Sequence, residues 1–417
     1  MTSSSLSGSA ESTNAPLLRG KPREDSRVVQ FCSILRAKSK SKLFEALFRR
    51  ISPLDSGFEN PDLGFTPGSD PVPGVPYTDI EPNDVVIDVR SPSEYEVDHL
   101  PEAINVPLLD DMERSRVGIL YRTEGPLSAS NWALSQLRSR FKWFLEQLLS
   151  KTPPQSRLLI CCARGGDRSR HVVQFLIENG RSSYQVVGGY WAYRVLVRKK
   201  LDETNYPNLW VLDGLTGTGK TRLLHAISKT RPGSVIDLEA YAQHRSSILG
   251  DVGLNPCSQK SFESSLAQHG HCFPNEKWYL VEAESRKVGN REIPTYFWDQ
   301  MVPSPRIQLE SDVDTRARIL VEEYRTPEGW EPLIKKLDDF ARFSDLSKEN
   351  IADLVKDLRN DQPESVVKYL LEHHYDSRYQ HHMKIDSVKL KLIVQEPEDL
   401  AEQVIQFLDS PSKAHTL

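Results

Sequence analysis

The run Gly214-Leu-Thr-Gly-Thr-Gly-Lys-Thr221 constrains this chain more than any other stretch. It matches the phosphate-cradling pattern G-x-x-x-x-G-K-[ST], in which glycines let several backbone amides turn inward together while the lysine reaches terminal phosphate oxygens. Such a loop works only between a strand and a helix, and both flanks comply: Leu209 to Leu212 reads as a buried strand and Arg222 to Ser228 as a helix. Gly214, Thr216, Gly217, Thr218, Gly219 and Lys220 are therefore the expected phosphate-binding residues, and Thr221 is the expected hydroxyl ligand of a magnesium ion. A partner acid belongs at the end of a neighbouring strand. Glu282 and Glu284 follow Trp278-Tyr-Leu-Val281, while Asp237 and Glu239 follow Val235-Ile236 and compete for the same role.

A second strand–loop–helix unit stands upstream. Arg157-Leu-Leu-Ile-Cys-Cys162 reads as a buried strand that runs into Ala163-Arg-Gly-Gly-Asp167, followed by a helix from about Arg168 to Glu178. Inward amides and the positive end of the helix favour an anion there, a thiolate included, so Cys162 is the expected nucleophile. Arg164 and Arg168 are the expected cationic donors beside it. Alternation along the strand turns Cys161 to the opposite face and into the core. For this chemistry the Cys162 thiol must open to a pocket that also connects to Lys220.

The rest of the chain fits an α/β fold. Asp84-Val-Val-Ile-Asp-Val-Arg90 and Tyr184-Gln-Val-Val187 read as further parallel strands, and Leu134, Leu137, Phe141, Phe144, Leu145 and Leu148 recur at helical spacing. The expected organisation is a loosely ordered extension over 1–78, an α/β domain over 79–202, a P-loop domain with a helical C-terminal region over 203–395, and a terminal helix and tail over 396–417. Within the extension, Arg27 to Arg50 is basic and amphipathic, and reads either as an organelle-targeting helix or as a loosely docked segment. No apolar run approaches the ~20 residues of a membrane span, so no membrane is implied. The five cysteines lack a disulfide framework or a CxxC pair, which fits a reducing, cytoplasmic setting. A net charge of −5 leaves nucleic acid open; Arg194, Arg198, Lys199 and Lys200 form a basic stripe that is either solvated or set against phosphates. His373, His374, His381 and His382 do not have metal-ligand spacing.

Taken together, the motifs resemble a known family. Val86-Ile-Asp-Val-Arg90-Ser-Pro-Ser-Glu94-Tyr95, His99-Leu-Pro101, Ala103-Ile-Asn105-Val-Pro107 and Cys162-Ala-Arg-Gly-Gly-Asp-Arg168-Ser look like a rhodanese domain. Adding Glu113-Arg-Ser-Arg-Val-Gly118-Ile-Leu-Tyr121, Gly188-Gly-Tyr-Trp-Ala-Tyr-Arg194, Asp213 to Thr221, Asp237-Leu-Glu239, His244-Arg245 and Glu282-Ala-Glu-Ser-Arg286, in that order, the chain is similar to tRNA 2-selenouridine synthases over roughly 84–395. The resemblance implies a rhodanese-like domain followed by a P-loop NTPase-like domain. It also implies a transferase that replaces the 2-thio sulfur of a wobble uridine in tRNA with selenium from selenophosphate, by way of an S-geranyl intermediate made from geranyl diphosphate. By similarity Cys162 carries the selenium and the P-loop grips the diphosphate. The implied partners are tRNA and an enzyme that supplies selenophosphate. Three features depart from the pattern: the N-terminal extension, Ala163 where a bulky aromatic is expected, and Asp167 within the anion loop.

Two other classes use parts of the same sequence. Cys162 and Arg168 have the Cys-x5-Arg spacing of phosphatases, and a sulfurtransferase fused to a P-loop kinase or NTPase would also carry both loops. Neither accounts for the connecting segments.

Overall fold

The structure is a computed structural model that describes residues 72–342, 344, 346–376 and 387–410. The targeting-like segment, Cys32, His381 and His382 lie outside the described residues. The first unit runs β1 (Gly74–Val75), β2 (Val85–Asp88), α1 (Pro92–Val97), β3 (Ile104–Asn105), α2 (Asp111–Thr123), α3 (Pro126–Lys151), β4 (Leu158–Cys161), α4 (Asp167–Glu178), β5 (Ser183–Val186) and α5 (Gly189–Glu203). Its strands pair in parallel in the order β1-β5-β4-β2-β3. Parallel neighbours need crossovers, and the helices those crossovers supply cover both faces, which is why β4 is buried at every residue. Local chemistry starts the helices: Ser91 with Glu94 and Asp110 with Glu113 form reciprocal capping boxes at α1 and α2. β1 lies inside the stretch assigned to the extension, with Val75 buried in the core. Its two residues are flanked by Pro73 and Pro76, a composition that hides a short strand.

The second unit runs β6 (Leu209–Gly214), α6 (Lys220–Ser228), β7 (Val235–Ile236), α7 (Leu238–Ala242), α8 (Gln259–Cys272) and β8 (Tyr279–Glu282), then a small antiparallel pair, β9 (Lys287–Val288) and β10 (Arg291–Glu292). It continues through α9 (Thr295–Met301), β11 (Arg306–Glu310), α10 (Val313–Tyr324), α11 (Glu331–Phe340), α12 (Lys348–Arg359), α13 (Pro363–Leu370), β12 (Val388–Ile393) and α14 (Ala401–Asp409). The main sheet is parallel, in the order β12-β11-β6-β8-β7. The order reverses at β6, the kind of switch point at which open α/β sheets bind ligands, and the P-loop leaves from its carboxyl end. β12 adds a strand to the C-terminal region that the sequence reading gives as helical. Val388, Leu390 and Leu392 alternate with Lys389 and Lys391 as an edge strand requires, and α14 buries Val404 and Leu408 on the same sheet.

The two sheets share one core. Val86, Leu159 and Val186 of the first and Val211, Ile236 and Val281 of the second face a common layer made by Tyr193, Val197 and Leu201 of α5 with Phe262 and Leu266 of α8. The three α5 residues recur every fourth position, so one stripe of that helix fills the gap. A separate apolar cluster gathers Leu333, Leu337 and Phe340 of α11 with Ile351, Leu354, Leu358, Val366 and Leu370 of α12 and α13. No described helix is long and apolar enough to cross a membrane.

Candidate active site

β4 ends at Cys161, and the chain turns at once through Cys162 into the loop that α4 follows, with Gly166 as its N-cap. Cys162 packs on the face of Leu158 and Ile160, and its Sγ lies 3.1 Å from Ser169 Oγ on the first turn of α4. That hydroxyl accepts from Gln185 Nε2 at 2.8 Å and donates to the Gly166 carbonyl at 3.2 Å. Ser169 and Gln185 were not singled out in the sequence. Ser169 stands directly after Arg168 in the motif, whereas nothing near Gln185 signals its part. Cys161 faces the shared core, where burial and the nearby Asp88 carboxylate push its thiol well above the usual range. Cys162 itself is 2% exposed, so it lies beneath the loop and not in the open pocket toward Lys220 that the sequence reading requires.

The expected arginines divide. Arg164 is exposed and forms no ion pair with a described residue, whereas Arg168 is turned to Glu94 at 3.3 Å, which Arg114 also reaches at 3.2 Å. A phosphatase loop needs its arginine free for phosphate, and this one is engaged. Asp167 is exposed and paired with Arg170, so its charge is compensated on the helix surface. The loop's floor comes from α5. Tyr190 and Trp191 donate backbone N–H groups to the carbonyls of Cys162 and Ala163 at 2.9 and 3.0 Å. The approach is so close that a Cβ on Gly189, whose φ is +56°, would sit 2.2 Å from the Cys162 carbonyl oxygen.

In the P-loop, Gly219 caps α6 in the left-handed region with φ 79°, and a Cβ there would meet Pro397 at 2.2 Å. Thr218 is buried, with its hydroxyl on the Leu215 carbonyl at 2.9 Å. Lys220 Nζ folds back on the carbonyls of Gly214 and Leu215 at 2.8 and 3.3 Å. Arg316 braces the loop: 3% exposed, it donates from Nε to the Thr216 carbonyl at 2.8 Å and grips Asp376 through both terminal nitrogens at 2.9 and 2.6 Å. Its partners are distant in the chain, and no local pattern identifies it.

The candidate acids separate by their hydrogen bonds. Asp237 is satisfied: one oxygen caps α7 through Ala240 N at 2.8 Å and the other meets His225 Nε2 at 2.8 Å. Glu239, Glu282 and Glu284 gather instead, with one carboxylate oxygen from each lying within 4.8 Å of the others. Thr221 donates to Glu239 Oε2 at 3.1 Å, and the Glu239 amide donates to Glu282 Oε1 at 2.7 Å. Burial, then the charge of Glu284, pushes Glu239 up to about 8; burial also raises Glu284 to about 7 and holds Glu282 well above the carboxylate range. The cluster and Thr221 offer oxygen donors alone, a set that fits magnesium.

The basic stripe also divides. Arg198, Lys199 and Lys200 are exposed, but Arg194 is 4% exposed and donates to Ser264 Oγ at 2.8 Å, the Lys260 carbonyl at 3.0 Å, Asp98 Oδ2 at 3.4 Å and Glu263. Tyr190 donates its hydroxyl to the same Asp98 oxygen at 2.9 Å, and its ring carries Arg90, whose Cζ lies 4.0 Å from the centroid. The helix that floors the cysteine loop is therefore tied by buried charges to α8 of the second unit.

Comparison with known proteins finds two family models on this chain. The rhodanese-like domain matches residues 78–196, and the tRNA 2-selenouridine synthase AAA domain matches residues 207–364. Among similar proteins, the tRNA 2-selenouridine synthase of Nitrosomonas europaea is 34% identical over 255 residues, which cover 58% of this chain and 65% of that protein. That of Shewanella woodyi is 31% identical over 279 residues, covering 66% and 74%. That of Hydrogenovibrio crunogenus is 28% identical over 339 residues, covering 73% and 91%. The chain thus spans just under two thirds of the length of the first of these relatives.

Proposed function

The chain belongs to the tRNA 2-selenouridine synthase family, and from that premise we propose that it replaces the 2-thio sulfur of a wobble uridine in tRNA with selenium. Selenophosphate is the donor, and an S-geranyl-2-thiouridine made from geranyl diphosphate is the intermediate. In the first step the thiouridine sulfur forms a bond to the geranyl carbon while the carbon–oxygen bond to diphosphate breaks. The P-loop amides and Lys220 hold the departing diphosphate. When bound, a magnesium ion at Thr221 supplies further neutralisation of that charge. In the second step the Cys162 thiolate bonds to C2 of the uridine as geranylthiolate leaves. The selenium of selenophosphate, met by Arg164 at the loop mouth, then displaces Cys162 from C2, and water takes the phosphoryl group from selenium as phosphate. Arg168 contributes through Glu94 and the loop's framework.

One observation supports this reading: two glycine-rich strand–loop–helix turns, one with a cysteine and one with a lysine, stand on sheets that share a single core. A phosphatase or a lone NTPase uses one of them. Because Cys162 is buried, selenium transfer requires the Ala163–Asp167 loop to move aside, and the same motion admits the modified base. We place the activity in the cytoplasm, with tRNA and a selenophosphate-supplying enzyme as partners. The test is mass spectrometry of nucleosides from 2-thiouridine tRNA incubated with the protein and geranyl diphosphate, then selenophosphate. A geranyl adduct followed by 2-selenouridine is the expected result; no mass change at either stage overturns the reading.

A further inference from the structure

The glutamate cluster beside the P-loop is electrostatically incomplete. Glu282 is 1% exposed and its Oε2 is buried with no hydrogen-bond partner, although the other oxygen accepts from the Glu239 amide. A buried polar atom left unpaired costs on the order of 1–3 kcal/mol, more when charged. Among the described residues none of Glu239, Glu282 and Glu284 forms an ion pair, and the nearby Lys220 amine is spent on loop carbonyls. Protonation does not resolve the problem, because an O–H at Glu282 Oε2 would be a donor without an acceptor.

We propose that Glu239, Glu282 and Glu284, with the Thr221 hydroxyl beside them, hold one hard divalent cation before any phosphate ligand reaches the P-loop. Oxygen-only donors select magnesium, manganese or calcium over softer ions. The spacing agrees: ligand oxygens on one ion lie at most about 4.2 Å apart for magnesium and about 5 Å for calcium. One oxygen from each of the three glutamates lies within 4.8 Å of the others, inside the reach of a single calcium-sized ion. A P-loop threonine alone binds its metal weakly and chiefly with the phosphates that share it. Three protein carboxylates make the ion resident.

The inference rests on the P-loop half and not on tRNA chemistry, so it stands or falls apart from the proposed function. Full-chain protein, free of phosphate and tRNA, is titrated with Mn2+ while free Mn2+ is followed by electron paramagnetic resonance. Wild-type protein and Cys162→Ala are expected to take up one ion per chain. Glu282→Gln should weaken binding by at least about tenfold, since the amide keeps an acceptor for the Glu239 N–H but removes an anionic ligand. Glu284→Gln, at a partly exposed position, carries the same test if Glu282→Gln does not fold. Binding that appears only after inorganic diphosphate is added overturns the proposal. So does equal Mn2+ affinity in wild type and in the glutamine variants of Glu239, Glu282 and Glu284.

Discussion

Cys161 and Cys162 are neighbours in sequence with opposite surroundings, one sunk in the core between the sheets and one against Ser169 at the head of α4. Cys162→Ala is expected to abolish selenium transfer while sparing geranylation. Lys220→Ala should instead slow geranylation by about 10²–10³-fold, the usual effect of losing one charge-stabilising donor. Nucleoside masses read both steps. His269 supplies a pH test of the core. Burial drives its imidazole down to about 4, with Nδ1 2.9 Å from the Tyr241 hydroxyl. A histidine depressed on folding is neutral inside and protonates only when unfolded, so its contribution is complete above about pH 6.5 and is lost as pH falls toward 4. The full effect is roughly 3 kcal/mol, and His269→Phe should flatten that part of the stability curve in urea melts. At this scale the sequence was legible where chemistry is local: Cys162, the P-loop residues and the candidate acids all sit in contiguous motifs. Arg316, Asp376 and Gln185 were not, because each reaches its partner from far along the chain, and the division of labour among the acids appeared only once Asp237 was seen to be fully bonded.

Elements were read well wherever a buried strand ran into a glycine loop and poorly where strands were short or at an edge. β4, β6 and β8 are continuous apolar runs, whereas β1 is two residues among prolines. β12 did carry a period-two signal, outweighed in the reading by the charged helical pattern that precedes it. The start of α5 is the element on which the cysteine loop rests. Gly189→Ala puts a methyl 2.2 Å from the Cys162 carbonyl, so one of the two must shift. We expect a loss of about 1–3 kcal/mol in stability and a changed alkylation rate at Cys162. Unaltered alkylation would mean that α5 does not set the loop.

Across the whole molecule, the sequence predicted two domains in series, and the structure places their sheets against one another through α5 and α8. That packing was invisible beforehand because its residues read as ordinary helix stripes, and because Arg194 looked like part of a solvent-facing patch. Arg194→Ala leaves Asp98 buried without its cation and should cost about 3–5 kcal/mol, with a single cooperative transition in wild type. Two resolved transitions in the wild-type melt would show that the halves fold independently. The edge position of β12 bears on how the chain is made. Its partner β11 and the P-loop strand β6 emerge from a ribosome well before residues 388–409 do, so the sheet that carries the P-loop stays unfinished until that segment follows. A nascent chain stalled before that point would present β11 as a bare edge, open to wrong pairing and in need of a chaperone.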